Sequence, residues 1–115
     1  MSPKTILIVD DNDRLRELIT ETLTRLGYLP LPYSNGDDVL REVSEGVQYD
    51  LAIVDLELPV IDGLEVARRL KEAYRERPIL ILSGDGDYES IGFPHFYKGN
   101  LDIDTLDRRI KELLK

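Results

Sequence analysis

The sequence predicts an α/β fold, a doubly wound five-stranded parallel sheet in the order 2-1-3-4-5. Short apolar runs alternate with stretches of helical spacing, the signature of consecutive βαβ units. Two of those runs end directly in aspartates: Ile6-Leu7-Ile8-Val9 in Asp10-Asp11, and Leu51-Ala52-Ile53-Val54 in Asp55. Short, β-branched apolar runs bounded by polar residues read as buried strands of a parallel sheet. A further extended segment carries Pro30 and Pro32. Proline cannot donate to a sheet ladder, so that strand belongs at an edge, and right-handed crossovers then give the order.

Taken along the chain, the first strand is expected at Thr5 to Val9. A helix follows with Leu15, Leu18, Ile19, Leu23 and Leu26 at helical spacing, stopped by Gly27. Tyr28 to Tyr33 is the edge strand. Asn35-Gly36 turns the chain into a short helix with Val39, Leu40 and Val43 inward, closed near Gly46. Asp50 to Val54 is the third strand. After Pro59 and the turn Asp62-Gly63, a helix runs to about Tyr74 with Leu64, Ala67 and Leu70 on one face. Pro78 to Leu82 is the fourth strand and delivers Ser83. Phe93 to Tyr97 is a shorter fifth strand delivering Lys98. The last helix, roughly Ile103 to Leu114, repeats Ile103, Leu106, Ile110 and Leu113. Between Ser83 and Lys98 too few residues remain for a full helix and a strand. Gly84 to Ser90 also lacks the apolar stripe that stabilises short helices. The fourth crossover helix is therefore expected to be short or absent, with a loop or a single turn in its place.

With 115 residues the chain is expected to be a single domain with a modest core and no output domain. A hydrophobic share of 42% beside 33% charged residues fits a water-soluble globular protein. No run approaches the roughly 20 apolar residues of a membrane span, and no signal-peptide pattern opens the chain. A cytoplasmic location is the default expectation. The absence of cysteine excludes disulfides, thiolate catalysis and Cys-type zinc sites. A net charge of −8 argues against direct nucleic-acid binding, which needs Lys and Arg to neutralise phosphates.

In open α/β sheets ligands bind outside the carboxyl ends of the strands. If the strands ending in Asp10-Asp11 and Asp55 are neighbours, three carboxylates converge there. Two unit charges ~5 Å apart repel by roughly 3 kcal/mol at an effective dielectric near 20. Such a cluster must protonate or hold a cation, and hard oxygen ligands suit Mg²⁺, which favours carboxylates, waters and phosphate oxygens. The pattern points to divalent-metal phosphoryl chemistry. The plain alternative is that Asp10 or Asp11 caps the first helix, where Asp is favoured.

Four features in order resemble the receiver domain of two-component response regulators. They are the acidic pair Asp10-Asp11, the segment Asp55-Leu56-Glu57-Leu58-Pro59-Val60-Ile61-Asp62-Gly63, the pair Ser83-Gly84, and Lys98. Each stands at the carboxyl end of an expected strand, and the resemblance covers nearly the whole chain. It implies the flavodoxin-like form of the fold and a site with Asp55 as nucleophile and phospho-acceptor. It further implies Mg²⁺ held by Asp11, Asp55, the main-chain carbonyl of Glu57 and, through water, Asp10. Ser83 would donate its hydroxyl to the phosphoryl group, Gly84 would leave room for it, and Lys98 would reach its oxygens as a mobile charge. Glu57 and Asp85 would border the group. Gly99 follows Lys98 where the family usually has proline. The family's switch aromatic, three positions before the lysine, is His95 here. Strand alternation puts His95 and Tyr97 on one face and Phe96 with Lys98 on the other, so His95 or Tyr97 is the candidate switch.

The resemblance implies a signalling switch that catalyses only its own phosphorylation and dephosphorylation. Its donor would be a phosphohistidine on a sensor histidine kinase or a histidine phosphotransfer protein. Without the usual fourth helix, the protein is expected not to use the family's common dimer face, and to be monomeric or to pair through another surface such as the first helix. One rival is a phosphatase of the haloacid-dehalogenase type, whose Asp-x-Asp is faintly echoed by Asp55-Leu56-Glu57 without its second aspartate. Another is a receiver-like interaction module that is never phosphorylated. A nucleotide-binding reading fails because no glycine-rich phosphate loop follows the first strand.

Overall fold

The computed structural model describes residues 2–84 and 92–115. Five strands, β1 (Thr5–Val9), β2 (Leu29–Tyr33), β3 (Leu51–Asp55), β4 (Ile79–Ser83) and β5 (His95–Tyr97), form one parallel sheet in the order β2-β1-β3-β4-β5. The helices are α1 (Asp13–Arg25), α2 (Gly36–Ser44), α3 (Gly63–Ala73) and α4 (Ile103–Leu113), with a 3-10 turn at Lys98–Asn100. The expectation of a short or missing helix in the crossover from β4 to β5 falls almost wholly on residues 85–91, outside those described.

The sheet is sandwiched because its central strands are apolar on both faces. Leu7, Val9, Ala52, Val54, Ile79 and Ile81 pack beneath α2 and α3 with Val39, Val43, Val66, Ala67 and Leu70. Ile6, Ile8, Leu51, Ile53, Leu80 and Leu82 face α1 and α4 with Ile19, Leu23, Leu106 and Ile110. Helices α1 and α2 both stop on a glycine in the left-handed region, Gly27 and Gly46. Around each, paired hydrogen bonds close the end: Gly27 N–H to Thr24 and Tyr28 N–H to Leu23, then Gly46 N–H to Val43 and Val47 N–H to Glu42. This is the glycine stop expected from the sequence.

The edge position of β2 has a specific basis. Leu29 donates to Lys4 and Asp10 donates to the Tyr33 carbonyl, so odd-numbered residues of β2 bond to β1. Pro30 and Pro32 fall at the alternate positions, facing the open edge. They remove two donors that another strand could use.

Three details differ from the sequence reading. Val66, not Leu64, is the fully buried partner of Ala67 and Leu70 in α3. Leu18 and Ile103, counted in the helical spacing of their apolar stripes, are 52% and 42% exposed and rim a shallow groove between α1 and α4. The fifth strand is only His95–Tyr97, because regular pairing with β4 starts at Ile81.

Candidate functional site

β1 and β3 are adjacent and in register, with Val9 opposite Val54. The next residue of each strand line, Asp10 and Asp55, therefore emerges side by side at the carboxyl edge of the sheet. Asp10, Asp55 and Ser83 are the buried polar residues among those described. Carboxylate oxygens of Asp10, Asp11 and the Asp55 side chain lie within 4.8 Å of one another, and Asp11 is exposed.

The capping alternative for the acidic pair is overturned. Asn12 is the N-cap of α1, its side-chain oxygen accepting the Leu15 N–H at 3.0 Å. Asp10 and Asp11 are thus left out of the helix end and face Asp55. The turn that carries them is braced by Arg16, which donates to the Asp10 carbonyl at 2.8 Å and pairs with Asp13 at 2.6 Å. Sequence reasoning missed both Asn12 and Arg16. Asn as a favoured cap residue before Asp13 was a legible signal for the first; a long side chain reaching back from i to i−6 leaves none.

Asp10 carries the strain of the cluster. Its Oδ1 accepts the Asn12 N–H at 2.9 Å, whereas its buried Oδ2 has no hydrogen-bond partner among the described residues. Burial raises its pKa to about 6, and the Asp55 and Asp11 charges push the same way. The Asn12 bond and the Lys98 charge offset part of the rise.

Asp55 is held differently. Its Oδ1 accepts the Glu57 N–H at 3.0 Å and pairs with Lys98 Nζ at 3.1 Å. Lys98 comes from the far side, in the 3-10 turn just after β5. The loop after Asp55 folds tightly back on it. Gly63 donates to the Leu56 carbonyl at 3.1 Å, and a Cβ there would overlap the Asp55 carbonyl oxygen and lie 2.7 Å from Leu56 Cα. Only glycine permits that approach. In the same loop Val60 has φ +66° and is 95% exposed, a costly conformation for a β-branched residue.

Ser83 ends β4, one residue past Leu82, the register partner of Asp55. Gly84 opens onto space where, among the described residues, an added Cβ would meet only Glu57 Oε1, at 3.9 Å. The exposed Glu57 carboxylate thus borders the same opening. Asp85 lies outside the described residues. Of the two switch candidates, Tyr97 stands opposite Ser83 in register and His95 opposite Ile81, while Phe96 is buried on the α1–α4 face. The structure therefore gathers Asp10, Asp11, Asp55 and Lys98 at one point, with Ser83, Gly84 and Glu57 at its rim and His95 deeper along β5.

The family of response regulator receiver domains matches residues 6–93 of this chain. The chain belongs to that family. The match ends before Lys98, so the place of that lysine in this receiver domain rests on its ion pair with Asp55. The receiver is 34% identical to the response regulator TrrA of Thermotoga maritima, crystallised in complex with Mg²⁺-BeF. That likeness covers 96% of this chain and 99% of that one with a TM-score of 0.86. Among curated proteins it is 32% identical over 111 residues to the autoinducer 1 sensor kinase/phosphatase LuxN of Vibrio campbellii. It is 31% identical over 116 residues to the transcriptional regulatory protein PcoR of Escherichia coli. Each match takes in 96% of the receiver, but it spans only 13% of LuxN and 51% of PcoR. No helix among the described residues is long and apolar enough to cross a membrane.

Proposed function

We propose that this receiver is a phosphorylation-activated signalling switch in which Asp55 accepts a phosphoryl group from a phosphohistidine. The observation that carries the reading is the convergence of three carboxylates on a point that Lys98 closes from the opposite side. The Asp55 Oδ1 is engaged by two donors, which supports Oδ2 as the attacking oxygen. An Asp55 Oδ2–P bond forms as the P–N bond of the donor breaks, and its electron pair returns to the imidazole nitrogen. Charge in the transition state spreads over the equatorial phosphoryl oxygens. Lys98, on the Asp55 side chain, is placed to neutralise part of it, and the Ser83 hydroxyl to donate to one of those oxygens. Hydrolysis reverses the occupancy: a water oxygen bonds to phosphorus as the Asp55 Oδ2–P bond breaks, its electron pair returns to the Asp55 carboxylate, and inorganic phosphate carries away the water's protons, with Glu57 at the rim.

The donor set fits Mg²⁺. The ion takes carboxylate oxygens while keeping several waters, and the unpartnered, buried Asp10 Oδ2 is an oxygen that a hydrated cation satisfies. Asp11, Asp55 and the Glu57 carbonyl would hold it, with Asp10 through water. When bound, it supplies the positive charge that lets two anions, Asp55 and the donor, approach. The donor would be a sensor histidine kinase or a histidine phosphotransfer protein, a reading supported by the likeness to a sensor kinase/phosphatase. The protein would act in the cytoplasm, as a switch and not as a turnover enzyme, with Tyr97 or His95 relaying the change.

The test is a coupled one. Asp11→Asn should weaken Mg²⁺ binding, measured by titration, and slow phosphorylation by a small-molecule phosphodonor in parallel. Parent-like Mg²⁺ affinity in that variant would overturn the metal assignment.

A further inference from the structure

We propose that Tyr97 is a positioning residue for Lys98, with Gly99 as the seat that lets it act; the inference rests on the phospho-acceptor reading of Asp55. Lys98 has a demanding task for its location. Its Nζ sits 3.1 Å from Asp55 Oδ1, yet it stands on the 3-10 turn Lys98–Asn100, which has no side-chain cap and no buried residue. The turn closes through the Leu101 N–H to the Lys98 carbonyl at 3.2 Å. The strand that leads into it is three residues long. Ordering a long lysine side chain costs rotamer entropy, so a mobile base under it would degrade the contact.

The Tyr97 ring supplies the missing restraint. It lies directly on Gly99, where an added Cβ would overlap Tyr97 Cε2 and come within 2.7 Å of Cζ and 2.9 Å of Oη. The ring thus fills the volume that any side chain at position 99 would take, and it bridges from the end of β5 across Lys98 to the middle of the turn. Tyr97 is also the register partner of Ser83. One side chain therefore ties the strand end beside Ser83 to the turn that carries Lys98. Tyr97 is 41% exposed and its ring is the movable end of a flexible side chain, so a Cβ at position 99 would displace the ring rather than the backbone.

The experiment compares Gly99→Ala, Tyr97→Ala, the double variant and Tyr97→Phe in the intact chain. The readouts are amide exchange at Leu101, the rate of Asp55 phosphorylation by acetyl phosphate with Mg²⁺, and Mg²⁺ affinity. Both single variants should speed Leu101 exchange by about ten-fold, since its N–H closes the turn. They should slow phosphorylation by roughly three- to ten-fold, the scale of a lost positioning contact, with Mg²⁺ affinity within about two-fold. The double variant should be no slower than the singles, because both remove one contact. Tyr97→Phe, which keeps the ring, should match the parent. Parent-like exchange and rate in Gly99→Ala would overturn the proposal. So would additive losses in the double variant, or Mg²⁺ affinity falling in step with rate. If the parent itself takes no phosphoryl group, the phospho-acceptor reading fails, and Leu101 exchange still decides whether the ring holds the turn.

Discussion

Replacing Asp10 by asparagine should make the metal-free protein more stable at neutral pH, although it removes a residue of the site. Asp10 is fully buried, and its pKa is raised from 3.8 to about 6 by burial and by the Asp55 and Asp11 charges. The folded state therefore binds the Asp10 proton more tightly than the unfolded chain. That stabilisation is complete below pH 3.8 and is lost as pH rises through about 6. The shift corresponds to roughly 3 kcal/mol at neutral pH, at 1.36 kcal/mol per pKa unit. Asparagine keeps an oxygen for the Asn12 N–H and carries no charge, so Asp10→Asn should recover about 1.5–3 kcal/mol at pH 7. For a domain of this size that is on the order of 5–12 °C in Tm. Thermal melts in chelator at pH 7 and near pH 4 are the assay. The parent should be more stable near pH 4 in respect of this group, and the advantage of the variant should shrink there. Added Mg²⁺ should stabilise the parent more than the variant, by mass action on the folded state. Equal melting of parent and variant at pH 7 in chelator would refute the reasoning.

Further predictions follow from the loop after Asp55 and from the sheet edge. Gly63→Ala forces a Cβ into the Asp55 carbonyl oxygen and should cost about 2–3 kcal/mol in urea unfolding; a loss under about 0.5 kcal/mol would mean that the loop relaxes freely. Val60→Gly relieves a β-branched residue at φ +66° with almost no buried surface to lose, and should be neutral to stabilising by about 1 kcal/mol. A destabilised Val60→Gly would show that the valine makes contacts that its exposure hides. Pro30→Thr with Pro32→Thr restores two outward donors on β2 and should produce concentration-dependent association in sedimentation; a monomer identical to the parent would contradict the role given to the prolines.

The fold was legible because its central strands are continuous apolar runs and its two glycine stops need a left-handed residue. Helix faces were less so. Leu64 and Val66 both fit an apolar stripe with Ala67 and Leu70, and the rotation of α3 about its axis, which turns Gly63, Val66, Ala67 and Leu70 inward, decides that Val66 is buried. Leu18 and Ile103 kept helical spacing but rim a groove between two helices, a position that periodicity cannot separate from a core one. Within the site, the carboxylates were legible because they end strands and strand ends converge. The cap at Asn12 carried a signal in its residue type, whereas the reach of Arg16 to the Asp10 carbonyl and the seat of Tyr97 on Gly99 depend on turn geometry, which spacing along the chain does not encode.

The central claim is that Asp55 is the phospho-acceptor. Its most direct test is intact mass of the parent and of Asp55→Asn after incubation with Mg²⁺ and a small-molecule phosphodonor, with and without hydroxylamine. The account predicts a single phosphoryl group on the parent, removed by hydroxylamine as an acyl phosphate must be, and none on Asp55→Asn. A phosphoryl group that survives hydroxylamine, or one that persists in Asp55→Asn, would contradict it.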